Sequence, residues 1–263
     1  HRIKSNSLIF NALHGGEGEN GQIQSFLSQH GLPYTGSGPV ASMLAMNKHF
    51  SKIIATENKI KTPNWLTFRF DSHGVPKVLA FKSNKKISFP MVVKPNFQGS
   101  TLGLSIVRTR DELDDAIKLS SIYSDELLIE EFIDGREMTV GILGNRVLEV
   151  VEVIPKTGVY DYHSKYTKGA SEYISPAIID KEVSKLMKDI SLKVYKSLGC
   201  RHYARVDFIL DKDLNPYFLE INTLPGLSEM SLFPKSASAS GLEFDQLLEL
   251  IIKISVLDND III

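Results

Sequence analysis

The stretch Tyr203-Ala204-Arg205-Val206-Asp207-Phe208-Ile209-Leu210, then Asp211-Lys212-Asp213-Leu214-Asn215, then Pro216-Tyr217-Phe218-Leu219-Glu220-Ile221-Asn222, decides how this chain reads. Two runs rich in branched and aromatic residues flank a turn-forming segment, the pattern of a β-hairpin. Strand side chains alternate between faces. Val206, Phe208 and Leu210, with Leu219 and Ile221, are therefore expected on an apolar face, and Arg205, Asp207, Glu220 and Asn222 on the other. Residues paired across an antiparallel ladder keep a constant sum of numbers, so a turn centred on Asp213 and Leu214 sets Asp207 opposite Glu220 and Arg205 opposite Asn222. Two carboxylates and an amide suit a hard cation: Mg²⁺ usually takes one or two protein carboxylates while substrate phosphates and water complete its octahedron. The same pattern also fits a solvated hairpin face with cross-strand charge pairs. The segment after Asn222 favours a metal-nucleotide site, because Thr223-Leu224-Pro225-Gly226-Leu227-Ser228 cannot continue the strand and brings backbone N–H groups beside the carboxylates.

Upstream, strands are expected over Asn64 to Phe70, Phe89 to Lys94, Leu104 to Val107 and Leu127 to Phe132, with a helix over Arg110 to Ser121. Between the second and third of these strands lies Lys94-Pro95-Asn96-Phe97-Gln98-Gly99-Ser100-Thr101-Leu102-Gly103, in which glycines, hydroxyls and a lysine suit a polyphosphate. A plain hairpin connector fits the same residues. Glu137 to Leu143 and Arg146 to Val153 read as a hairpin about Gly144-Asn145. Pro155 to Pro176 lacks periodicity but carries Tyr160, Tyr162, Tyr166 and Tyr173, so a lid is expected there, with Lys165 and Tyr166 able to touch a ligand. Helices are expected over Gln22 to His30, from about Val40 to Asn58, over Asp180 to Leu198 and over Leu242 to Ile254. Near the start, Ser7 to Leu13 reads as a strand leading into the glycine-rich His14 to Gly21, like the tail of a βα unit whose first part precedes His1.

With 263 residues, 43% of them hydrophobic, the chain can bury a substantial core in one large or two modest domains. Its 30 basic and 31 acidic residues nearly cancel, which offers nucleic acid or an anionic membrane no electrostatic footprint. The single cysteine, Cys200, excludes an internal disulfide and reads as a packing residue at a helix-to-strand junction. No apolar run approaches the roughly 20 residues of a membrane span, and the start carries no secretion signal, so a cytoplasmic location is expected.

Taken in order, His14-Gly15 with Glu19-Asn20-Gly21, Pro33-Tyr34-Thr35-Gly36-Ser37-Gly38, Met46-Asn47-Lys48, Val93-Lys94-Pro95 with Gly99-Ser100, Tyr160-Asp161-Tyr162 with Lys165-Tyr166, Arg205-Val206-Asp207 and Glu220-Ile221-Asn222-Thr223-Leu224-Pro225-Gly226 resemble the D-alanine-D-alanine ligase family in order and approximate spacing. The resemblance implies an ATP-grasp fold of α+β and α/β character: a remnant of an N-terminal α/β substrate domain over 1–39, a central subdomain over 40–133, and a C-terminal subdomain over 134–263 that carries the metal site and the lid of 155–176. It implies ligation of two D-alanines through an acyl phosphate for peptidoglycan precursors, with ATP as co-substrate, Mg²⁺ or Mn²⁺ as metal, and a homodimer. Lys48 and Lys94 would contact the phosphates, Ser100 and its loop would cover them, and Glu130 and Glu137 would lie near adenine and ribose. Asp207, Glu220 and Asn222 would hold the metal, while Arg205 and the Gly226 N–H would face the oxyanion of the tetrahedral intermediate. Ser231 and Leu232 would bind the second carboxylate, His14 belongs with the substrate residues, and Lys165 with Tyr166 favours an amine acceptor. The family's N-terminal glycine-rich strand and the glutamate after it have no counterpart, so the chain is expected to be a fragment or processed form of a ligase. The alternatives are another ATP-grasp carboxylate-amine ligase and a non-catalytic ATP-binding form.

Overall fold

A computed structural model describes residues 7–71, 76–82, 87–155, 171–228 and 230–258. Strands β1 (Trp65–Phe70), β2 (Pro76–Lys82), β3 (Met91–Pro95), β4 (Ser105–Val107) and β5 (Glu126–Glu131) form one antiparallel sheet in the order β2-β1-β5-β3-β4. A second antiparallel sheet, in the order β10-β9-β6-β7-β8, is built from β6 (Gly135–Leu143), β7 (Arg146–Pro155), β8 (Ser171–Ile174), β9 (Tyr203–Asp211) and β10 (Pro216–Asn222). Seven α-helices accompany them among the described residues: α1 (Gln22–Gln29), α2 (Pro39–Met46), α3 (Lys48–Glu57), α4 (Leu113–Ser121), α5 (Lys181–Ser197), α6 (Leu232–Ala239) and α7 (Phe244–Asp258). Two α+β layers facing one another make an ATP-grasp fold.

Period-2 alternation decides which face of each sheet is core. In β3, Met91 and Val93 pack with Leu113 and Ala116 of α4, so Val92 and Lys94 must face the other way. In β9, Val206, Phe208 and Leu210 pack with Phe218, Ile221, Met187 and Val194 beneath α5, while Arg205, Asp207 and Ile209 stay on the opposite face. Helices α2 and α3 supply Ala41, Ala45 and Ala55 to this same core, so they lie on the second sheet although they precede the first in the chain. Phe233, Leu247 and Ile251 of α6 and α7 form a further core with Leu143, Leu148, Tyr203 and Leu224.

The decisive hairpin pairs as its spacing implies at the polar end: Glu220 lies opposite Asp207 and Asn222 opposite Arg205. Nearer the turn the register differs by one, with Phe218 opposite Phe208, and the shift falls between Phe218 and Glu220. Leu219 is the extra residue of this β-bulge, which corrects its expected place on the apolar face. Phe218 takes the core position, and Leu219 turns to the cleft between the sheets.

Three further expectations change. The helix expected from Val40 to Asn58 is two helices broken at Asn47, whose extended backbone (ψ 99°) ends α2 while its Oδ1 caps α3 by accepting from the Phe50 N–H at 3.0 Å. Ser7 to Leu13 makes only a single parallel bridge, Ile9 to Tyr34, because the described residues hold no strand beside it to extend the pairing. The polar connection of 155–176 ends in a strand, β8, which pairs with β7; its residues 156–170, including Lys165 and Tyr166, lie outside the described residues. Strand β2 and helix α6 were not legible in the sequence. The Pro76, Lys77, Val78 and Leu79 side chains of β2 are all exposed on an edge strand, so they carry no alternation, and Leu232-Phe233-Pro234 opens α6 with a proline that only a first turn tolerates.

Candidate active site

Between the two sheets lies a cleft lined by Val92 and Ile106 of the first sheet with Leu104 just before β4, by Met138, Ile209 and Leu219 of the second, and by Glu130 to Ile133. Its polar groups stand where strand alternation puts them. Lys94 comes from β3, Lys48 from the first turn of α3, Asp207 from β9 and Glu220 from β10.

Asp207 is the hub of the second sheet's polar face. Arg205 grips both its oxygens, Nε to Oδ1 at 2.9 Å and Nη2 to Oδ2 at 2.8 Å. Thr139 on the neighbouring β6 donates to Oδ1 at 2.6 Å, and the Asn222 amide donates to Oδ2 at 2.9 Å. Glu220 is met by the Lys48 ammonium at 3.0 Å, which also donates to the Gln98 carbonyl at 2.5 Å. Lys48 thus joins α3 to the 96–103 loop and to β10. The donor set of Asp207, Glu220 and the Asn222 amide is all oxygen and sits on one face of two paired strands, which fits Mg²⁺ by its chemistry.

Glu130 is nearly buried, clasped by Lys94 (Oε1, 2.5 Å) and Lys52 (Oε2, 2.8 Å). Burial alone would raise its carboxyl; the two lysines outweigh that and hold it below the usual range. Burial pulls the Lys52 ammonium down to about 8, against the attraction of Glu130. Glu137, from β6, lines the same cleft. The loop over the lysines is held in shape by two successive left-handed residues, Ser100 (φ 56°) and Thr101 (φ 60°), with Thr101 in the cleft wall.

The glycine-rich turn of His14 to Gly21 docks on the segment after β10. His14 Nδ1 donates to the Leu224 carbonyl at 2.8 Å, while the buried Glu19 accepts from the Leu224 N–H (3.4 Å) and the Gly15 N–H (3.2 Å). Burial pushes the Glu19 carboxyl up, with His14 and Arg205 pulling the other way. Gly226 lies so close to Ser231 that a Cβ there would stand 2.8 Å from the Ser231 hydroxyl, which itself shares a 2.8 Å hydrogen bond with Ser228. Leu232 opens α6 and lines the cleft beside Val153. The structure thus brings Lys48, Lys94, Glu130, Glu137, Asp207, Glu220 and Leu232 to one cleft, and draws His14 to the segment carrying Gly226. Sequence reasoning missed Lys52 and Thr139, and gave Glu19 a place in the motif order but no role. Lys52 had a readable signal: it falls one turn after Lys48, on the buried stripe with Ser51 and Ala55, where an unpaired lysine would be costly.

Residues 54–253 match the family model described as D-ala D-ala ligase C-terminus. The D-alanine–D-alanine ligase of Carboxydothermus hydrogenoformans is 43% identical over 95% of this chain and 81% of that protein. Among solved structures, the D-alanine–D-alanine ligase of Bacillus anthracis complexed with ATP superposes with a TM-score of 0.82 at 33% identity, over 96% of this chain and 80% of that one. The VanG D-Ala:D-Ser ligase of Enterococcus faecalis gives 0.84 at 31% identity, over 97% and 75%. With the family model spanning most of the sequence and the motif order embedded in the matching fold, the chain belongs to the D-alanine–D-alanine ligase family.

Proposed function

We propose that the chain joins two D-alanines into D-alanyl-D-alanine with conversion of ATP to ADP and phosphate, the dipeptide serving peptidoglycan precursor synthesis. The observation that carries this is the meeting, in one cleft, of Lys94 from the first sheet with Lys48, Asp207 and Glu220 from the second sheet and its helix α3, Lys48 reaching Glu220 at 3.0 Å. In the first step, a carboxylate oxygen of one D-alanine bonds to the γ-phosphorus as the bond to the ADP oxygen breaks. Lys48 and Lys94 hold the phosphates in line, and the Ser100 loop closes over them; such transfer depends mainly on positioning and charge neutralisation. In the second step, the amine of the other D-alanine adds to the acyl carbon, sheds a proton, and phosphate departs. Arg205 and the Gly226 N–H face the oxyanion, and Ser231 with the α6 start at Leu232 receives the acceptor carboxylate. Lys165 and Tyr166 bear on the acceptor amine. His14 steadies the substrate side of the site through Leu224, and Glu130 and Glu137 border the adenine and ribose. Asp207, Glu220 and Asn222 would hold Mg²⁺, which supplies charge neutralisation at the polyphosphate.

Phosphate release from Mg-ATP, with D-alanine, D-serine or D-lactate as second substrate, tests the reading. Release that depends on D-alanine, with D-alanyl-D-alanine identified by mass spectrometry, supports it; release only with a different acceptor overturns it. No helix among the described residues is long and apolar enough to cross a membrane. The reading places the reaction in the cytoplasm, where ATP and precursors meet, and in a homodimer, which sedimentation equilibrium checks.

A further inference from the structure

We propose that Lys52, which does not line the cleft, is a positioning residue of the nucleotide site: its buried ammonium ties Glu130 to the second sheet and so fixes how Lys94 reaches into the cleft. This rests on the ATP-dependent reading of the site. Lys52 is fully buried on α3, a helix packed on the second sheet, yet its Nζ lies 2.8 Å from Glu130 of the first sheet. The same Nζ donates to the Thr62 hydroxyl at 2.7 Å, and that hydroxyl donates to the Phe218 carbonyl at 2.8 Å. Phe218 is the residue before the bulge that aims Glu220. One unbroken chain, Lys94 to Glu130 to Lys52 to Thr62 to Phe218, therefore crosses between the sheets behind the polyphosphate groups. The Glu130 oxygen facing Lys52 is buried, and the Lys52 ammonium at 2.8 Å is the group that compensates its burial. Without that charge Glu130 would rely on Lys94 alone and draw it away from the cleft.

Lys52 faces Glu130 on β5, Lys94 on β3, Glu220 on β10 and Lys48 on its own helix, and its Nζ sits 5.5 Å from the ring of Trp65 on β1. Trp65 is the sole tryptophan and pairs across the sheet with Glu130; its indole N–H donates to His49 Nδ1 at 2.8 Å, and burial holds that imidazole below its ordinary 6.5, so an emission change near 8 belongs to the Lys52 cluster. Burial brings the ammonium to about 8. The protonated form makes the tie, so the tie is present below that pH and lost above it.

The experiment follows Trp65 emission and the kcat/KM for Mg-ATP across pH in the wild type and in Lys52→Met, with Mg-ADP binding by calorimetry. Expected in the wild type are an emission change and an alkaline fall in kcat/KM with a shared midpoint near 8. In K52M both transitions vanish, and KM for Mg-ATP rises about tenfold or more while kcat changes far less. A wild-type emission that is flat around that pH, or K52M with wild-type KM and an unchanged pH profile, overturns the proposal. The wild-type titration needs no variant, so it decides even where K52M does not fold. Mg-ADP binding with no D-alanine-dependent release would overturn the ligase reading while Lys52 is still judged; no nucleotide binding at all overturns both.

Discussion

At the scale of single residues, Asp207 carries the most contacts that matter, held by Arg205, Thr139 and Asn222 at once. Asp207→Asn keeps the shape but removes the charge that balances Arg205 and would ligate the metal. Turnover is expected to fall by about 10²–10³ or more with the fold intact, measured as D-alanine-dependent phosphate release beside a thermal melt. Near-normal turnover would remove Asp207 from the metal site. His202 makes a pH prediction. It is buried, its Nδ1 accepts from the Gly36 N–H at 3.0 Å with the Ser255 hydroxyl 3.0 Å away, and its Nε2 donates to Asp258 at 3.1 Å. A serine, a histidine and an aspartate in contact invite a catalytic reading, but Ser255 is fully buried in α7 and its hydroxyl donates to the Ile251 carbonyl, so the trio is a structural tie. Burial, with the Arg201 charge, pulls this imidazole below its ordinary 6.5 against the opposing pull of Asp258. The unfolded chain therefore binds a proton that the folded chain resists. The contribution is fully present above 6.5 and is lost as the pH falls through the folded value. Urea unfolding between neutral and mildly acid pH should show a shallower pH slope in His202→Asn, a residue that tolerates the left-handed backbone at this position (φ 63°). The pairing of Asp207 with Glu220 was legible because both lie on one hairpin, where alternation and a short turn set which residues face each other. The partners of Lys52 and His202 were not, because they lie in elements far away in the chain, although the helix stripe already marked Lys52 for burial.

At the scale of elements, the start of α3 is held by a partner from another layer. Asn96, at the head of the 96–103 loop, accepts from the Lys48 N–H through its carbonyl (3.2 Å) and from the His49 N–H through its side chain (2.9 Å), and donates to Asn47 and Glu126. This tertiary cap sets Lys48 at the cleft. Asn96→Ala leaves the half-buried His49 N–H and the Asn47 and Glu126 oxygens short of a partner, with an expected cost of about 1–3 kcal/mol. For a chain of this size that is a melting point lower by roughly 2–10 °C, accompanied by a raised KM for ATP, readable by calorimetry and steady-state kinetics. An unchanged melt would show that the cap is dispensable. The helix break at Asn47 was hidden in the sequence because α2 and α3 both carry helix-forming residues through the junction; only the Asn96 partner makes the extended Asn47 favourable. The bulge at Leu219 was hidden for a similar reason, since strict alternation and a one-residue slip both leave an apolar residue near the turn.

At the scale of the whole molecule, the site exists only where the two sheets meet, so ligand and stability should be linked. Mg-ATP at a hundredfold excess over its Kd should add about 2.7 kcal/mol, a melting point higher by several degrees. Chelating the divalent ion should remove most of that gain, as should Asp207→Asn, in a thermal shift assay with a non-hydrolysable ATP analogue. An equal gain without divalent ion would argue against carboxylate-held Mg²⁺. What the sequence alone determined is local: the strand and helix periods, the turn residues between Leu210 and Pro216, the pairing of Asp207 with Glu220, and a motif order that marks the family. These depend on side chains a few residues apart along one strand or helix, where backbone geometry is nearly fixed. What only the tertiary structure decided is which face meets which: α2 and α3 on the second sheet, Lys52 clasping Glu130 from across the cleft, and Leu219 turned out by a bulge. Those outcomes depend on burial and charge compensation between residues tens to more than a hundred positions apart, which no local periodicity encodes.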